Sequence, residues 1–236
     1  MAASFVAVAI LAVVVVAACD VIAAVALPLP PAPATSAPAS PRSSAAPPPV
    51  GSAAAALAAL PVKGRAPKTG YARAQFGPAW ADTDHDGCDQ RNQVLGRDLT
   101  GVTKRGRCIV LSGSLHDPYS GTTVAFTRGA LTSDDVQIDH VVALSNAWQT
   151  GAQALDPGTR EMIATDPANL LAVKGVINQS KGDGDAATWL PPAKAYRCAY
   201  VARQVAVKTR YKLWVTAAER DAIARVLADC PGQALP

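Results

Sequence analysis

The stretches QIDHVVAL (residues 137–144) and DPANLLAVKGVINQSKGDGD (166–185) hold the densest set of chemistry-bearing side chains in the chain. The apolar, β-branched run Val136–Val142 reads as a strand with Asp139 and His140 at its end. Asn169 stands in a turn, Leu170–Val173 is a second short strand, and Asn178 opens a short helix with Lys181 one turn on. Neighbouring residues of a strand point to opposite faces. Asp139 and His140 can therefore serve one reaction only from a strand end or a bulge, and a sharp backbone change is expected there.

Working outward, residues 62–80 form a basic lead-in with little periodicity, and 89–101 read as a short amphipathic helix carrying Val94, Leu95 and Leu99. Cys108–Leu111 and Thr122–Phe126 are expected to form a hairpin around the turn-rich GSLHDPYSG. Helices are expected over 143–152, 194–212 and 216–229. The last opens on Thr216 with Glu219 three residues on, a capping box. Trp148, Trp189 and Trp214 fall in periodic segments and are expected in the core. The fold class is α+β.

Composition divides the 236 residues unevenly. Ten of the 19 prolines lie between Pro28 and Pro61, and every charge except Asp20 and Arg42 lies beyond residue 62, where the net charge is +4. This excludes a polytopic membrane protein and a fully disordered chain, and it leaves one folded domain over 62–236. Residues 28–61 read as a Pro/Ala/Ser linker. From Phe5 to Cys19 all 15 residues are apolar, too few to span a bilayer but suited to an export signal in 1–27. Val16–Cys19 resembles a lipobox, so lipidation at Cys19, ordinary cleavage and an uncleaved anchor all stay open. Each implies a secreted or surface-held protein that meets the membrane only through its N-terminus.

The four remaining cysteines, Cys88, Cys108, Cys198 and Cys230, include no C-x-x-C pair, which argues against zinc. An even number in an exported domain implies two disulfides. Of the three pairings, Cys88–Cys108 with Cys198–Cys230 is favoured because each bond closes a local loop.

Strand, turn, strand and helix, with Asp-His on the first strand and Asn-x-x-Lys on the helix, resembles the ββα-metal (HNH, His-Me finger) nuclease motif. More closely, GCDQRN, RDL, DPYSG, VQIDHVVALSNAW, NLLAV, N-x-SKGD and ATWLPP resemble a family of secreted actinobacterial HNH proteins. That family is related to the C-terminal domain of GmrSD restriction endonucleases. The resemblance covers about 70–230 and implies a ββα-metal core embedded in further helices and a β-hairpin. It also implies an endonuclease acting on DNA, with RNA as a further substrate.

The residue chemistry agrees. A neutral imidazole suits proton abstraction from water near pH 7, which makes His140 the candidate general base. Asp139 and the amide oxygen of Asn178 are oxygen ligands for Mg²⁺, with Mn²⁺ able to substitute. Asn169, grouped with His140 in the catalytic set, reads as the residue that bridges backbone across the turn. Lys181 either contacts phosphate or favourably ends its helix. Arg91 is either a phosphate contact or half of a structural ion pair. Asp82, Asp84 and Asp86 begin like a calcium loop, but the twelfth position is Gln93. A calcium-binding envelope module without catalysis is therefore the alternative. A net charge of +4 without a basic run implies phosphate-based binding with little sequence preference, and a monomer is expected.

Overall fold

The computed structural model describes residues 49–236; the expected leader, Cys19 and most of the linker lie outside the described residues. The first helix, α1 (Ala53–Ala59), falls in a stretch that composition assigned to the linker. No proline lies between Pro49 and Pro61, and alanine costs almost no side-chain entropy in a helix. The Ser52 hydroxyl caps it, accepting from the Ala55 amide at 3.2 Å. Ala53, Leu57 and Leu60 are buried in one cluster with Tyr200, Val201 and Ile223. The expected boundary at residue 62 is therefore corrected: the folded unit already includes Ser52 and α1.

Residues 62–80 are irregular apart from one 3-10 turn, Arg73–Phe76, and α2 (Gln90–Asp98) follows, capped by Asp89. Three strands, β1 (Thr100–Arg105), β2 (Ile109–His116) and β3 (Thr123–Thr127), form an antiparallel sheet in that order. The expected hairpin is β2–β3, with β2 running five residues further than its β-branched start, through Gly113 to His116. The flanking strand β1 carries no alternating apolar signal because it is an exposed edge.

A second, two-stranded sheet pairs β4 (Val136–His140) with β5 (Leu170–Lys174). Between them lie α3 (Leu144–Gln149) and α4 (Pro157–Thr165); after β5 come α5 (Gly175–Lys181), α6 (Arg197–Arg210) and α7 (Ala217–Ala228). The capping box between Thr216 and Glu219 forms as expected. Period-2 alternation explains how the small sheet is held. Val136, Ile138, Leu170 and Ala172 pack with Val94 and Leu95 of α2, whereas Leu171 and Val173 pack with Tyr200 and Val201 of α6. Both favoured disulfides are present: Cys88–Cys108 joins the approach to α2 to the β1–β2 turn, and Cys198–Cys230 joins α6 to the end of α7. The domain is α+β. Among the described residues no helix is long and apolar enough to cross a membrane.

Candidate active site

The register of β4 against β5 decides where the site residues point. Asp139 lies opposite Leu171 and His140 opposite Leu170, the last pair of the ladder. The pleat sends Asp139 to the face that also carries Gln137, and His140 to the other. The strand ends at His140 and the chain bends through Val141 and Val142, so both side chains reach one cleft from the strand's end. No bulge is used. Helix α5 follows β5 at once and closes over the Asp139 face. Its first residue must be glycine, since a Cβ at position 175 would collide with the Asp134 carbonyl.

His140 is fixed by one ring nitrogen. Its Nε2 lies 2.9 Å from the Ala164 carbonyl at the end of α4. A carbonyl can only accept, so Nε2 carries the proton and Nδ1 of the neutral ring keeps its lone pair. Burial pushes the pKa of His140 down to about 4, with Arg73 and Lys181 adding to the effect against the Ala164 carbonyl and Asp139. Asn169 holds the neighbouring backbone from three sides. Its Oδ1 accepts from the Val142 amide at 2.8 Å, and its Nδ2 donates to the carbonyls of Val142 and Ile163. This is the bridging position read from the sequence.

Asp139 is buried, and each of its carboxylate oxygens accepts one hydrogen bond. Lys181 Nζ donates to Oδ1 at 2.9 Å and the Tyr119 hydroxyl donates to Oδ2 at 2.5 Å. On α5, Asn178 Nδ2 donates to Gln137 Oε1 at 3.0 Å, and among the described residues the Asn178 amide oxygen has no donor. Asp139, His140 and Asn178 line a shared open cleft of about 290 Å³. Asp183 and, from the N-terminal lead-in, Tyr71 and Arg73 complete the polar part of its wall.

Two sequence-derived candidates sit elsewhere. Lys181 has a fully buried side chain, paired with Asp139 and donating to the His140 carbonyl at 2.8 Å, so its ammonium is committed inside the protein. Arg91 donates to the carbonyls of Ser133 and Val136 at 2.9 and 3.0 Å and lies over the Trp80 ring. It fastens α2 to the start of β4 and does not line the cleft. Neither side chain, as placed, is turned to a phosphate. Sequence reasoning missed Tyr119, Gln137 and Arg73. Tyr119 sat unweighted inside the DPYSG stretch, and Arg73 lay in a segment without periodicity. The Asp82, Asp84 and Asp86 carboxylates come within 4.8 Å of one another, but their oxygens accept the amides of Asp86, Gly87 and Cys88. Gln93 Nε2 donates to Asp84, so the twelfth position presents a donor to the turn.

The family of GmrSD restriction endonucleases, C-terminal domain, matches residues 89–226. The chain belongs to this family. The GmrSD C-terminal match takes in β4, β5 and α5 together with α2, and ends inside α7; it makes this a nuclease-related domain. It begins at Asp89, so Tyr71 and Arg73 lie ahead of it. An uncharacterized secreted protein of Arthroderma benhamiae is 40% identical over 176 residues, covering 74% of this chain and 82% of that one. No solved structure matches the chain.

Proposed function

We propose that the protein is an exported, metal-dependent HNH endonuclease that hydrolyses phosphodiester bonds of DNA. The observation that carries this reading is the Nε2 contact of His140 with the Ala164 carbonyl. It fixes a neutral imidazole whose Nδ1 takes the proton from an attacking water, while Asn169 holds the segment that positions the ring. Catalysis of this kind otherwise needs charge set against the phosphate as the leaving oxygen departs.

The cleft residues fit a hard cation. Among the described residues the Asn178 amide oxygen lacks a donor, and each Asp139 oxygen keeps a lone pair beyond its one hydrogen bond. Asp139 and Asn178 would hold Mg²⁺, or Mn²⁺ in its place, with water and substrate oxygens completing the set. Bound there, the ion supplies positive charge to the phosphate and the leaving oxygen. Export is supported by the apolar run before Cys19 and by the secreted relative. Binding through phosphates, with little sequence preference, follows from a charge of +4 without a basic run.

The full chain should nick supercoiled plasmid in Mg²⁺ or Mn²⁺. His140→Ala should lose at least about a hundredfold, the usual size of a general-base contribution. Equal nicking by wild type and variant would remove the reading, and cleavage of RNA alone would reassign the substrate.

A further inference from the structure

The charged residues of the cleft wall are Arg73, Asp139 and Asp183. Two of the three are already balanced. Asp139 is paired with Lys181 at 2.9 Å, and Asp183 with Lys68 at 2.6 Å. Arg73 has no carboxylate partner among the described residues, although it is half-buried and burial works against its charge. A desolvated cation left without a counter-ion is costly, and it is worth its cost where an anion is to be received.

Its placement is rigid. Arg73 opens the 3-10 turn that ends at Phe76, whose ring is fully buried with Trp148 and Ile163. Tyr71, two residues earlier, packs edge-on against both Phe76 and Trp148. One guanidinium nitrogen is used as a tether: NH1 donates to the carbonyls of Phe76 and Gly77 at 3.3 and 3.0 Å. Nε and NH2 make no hydrogen bond among the described residues, so one edge of the planar fork is held ready. Two parallel N–H groups match two oxygens of a phosphate in a way that an ammonium cannot.

We propose that Arg73 grips the substrate phosphate in this cleft, taking the part that sequence alone offered to Arg91 and Lys181. The inference rests on the nuclease reading and gives the site its anion-binding element. The contact comes from the lead-in ahead of the family-matched region, so the cleft is completed by a segment outside that region.

The test separates binding from turnover. In a His140→Ala background, affinity for a short mixed-sequence DNA duplex is measured across salt concentrations. Adding Arg73→Gln should weaken binding and reduce the slope of log affinity against log salt by about 0.9, one phosphate contact. With His140 intact, Arg73→Gln should lower kcat by about a hundredfold, the scale for removing one charge-stabilising donor. Arg73→Lys should restore the salt slope but not kcat, because it returns the charge without the fork. Melting curves of both variants close to wild type exclude unfolding as the cause; should Arg73→Gln fail to fold, Arg73→Lys still tests the fork through kcat. Wild-type slope and wild-type kcat in Arg73→Gln, or wild-type kcat in a folded Arg73→Lys, would overturn the proposal while leaving a cleaving enzyme in place. Failure of the wild type itself to cleave would instead remove the nuclease reading on which it rests.

Discussion

Lys181 and Asp139 form a buried ion pair at 2.9 Å across the seam between α5 and β4, and the same ammonium reaches the His140 carbonyl at 2.8 Å. One lysine thus ties the helix to two consecutive residues at the strand's end. A buried carboxylate that loses its partner is left with an uncompensated charge. Lys181→Met should cost about 3–5 kcal/mol in urea denaturation, and adding Asp139→Asn should recover a large part of that. A loss below about 1 kcal/mol would show that the pair behaves as a solvated surface bridge.

The low pKa of His140 ties stability to pH. Burial holds it at about 4 in the folded protein, against about 6.5 in an unfolded chain. As pH falls, the unfolded chain takes up the proton first, so neutral His140 contributes fully above about pH 6.5 and its contribution is lost on the way down to about 4. Urea midpoints measured across that window should fall less steeply for His140→Gln than for wild type. Parallel profiles would mean that the ring is solvated.

Helix α1 belongs to the core. Leu57 is 5% exposed and packs in the cluster that contains Tyr200 and Ile223. Leu57→Ala should therefore cost about 2–5 kcal/mol. A chain that begins at Val62 should melt lower than one that begins at Val50. If the two melt together, α1 is a dispensable appendage.

Disulfide Cys198–Cys230 spans 32 residues and joins α6 to α7, away from the cleft. Replacing both cysteines by serine should lower stability by about 3 kcal/mol on the chain-entropy scale. Plasmid nicking at a temperature where the variant is folded should be unchanged. Lost nicking in a folded variant would show that the α6–α7 pair positions the site.

Strong local signals were legible in the sequence. Short apolar and β-branched runs marked β4, β5 and the β2–β3 hairpin, the Thr216–Glu219 pair marked the start of α7, and local loop closure favoured the two disulfides found. What periodicity could not show was set by distant partners. The edge strand β1 is exposed on both faces, and α1 is hidden by proline-rich flanks. Asp139 carried the signal of a metal ligand, but its Tyr119 and Lys181 contacts come from residues 20 and 42 positions away. Arg73 offered no pattern at all. Its significance lies in having no carboxylate partner among the described residues, and only the packed structure displays that.

The insertion of α3 and α4 between β4 and β5 has a consequence for when this chemistry comes into being. His140 meets Ala164 across 24 residues, Asn169 meets Val142 across 27, and Lys181 meets Asp139 across 42. No single helix or tight hairpin assembles the cleft, so its parts come together only after long loops have closed. Under the proposed export and activity, a chain threaded across a membrane before folding would carry the ingredients of a nuclease but not the tool. On the proposed reading, in which the chain leaves the cell unfolded, activity would stay latent until β4 and β5 pair outside.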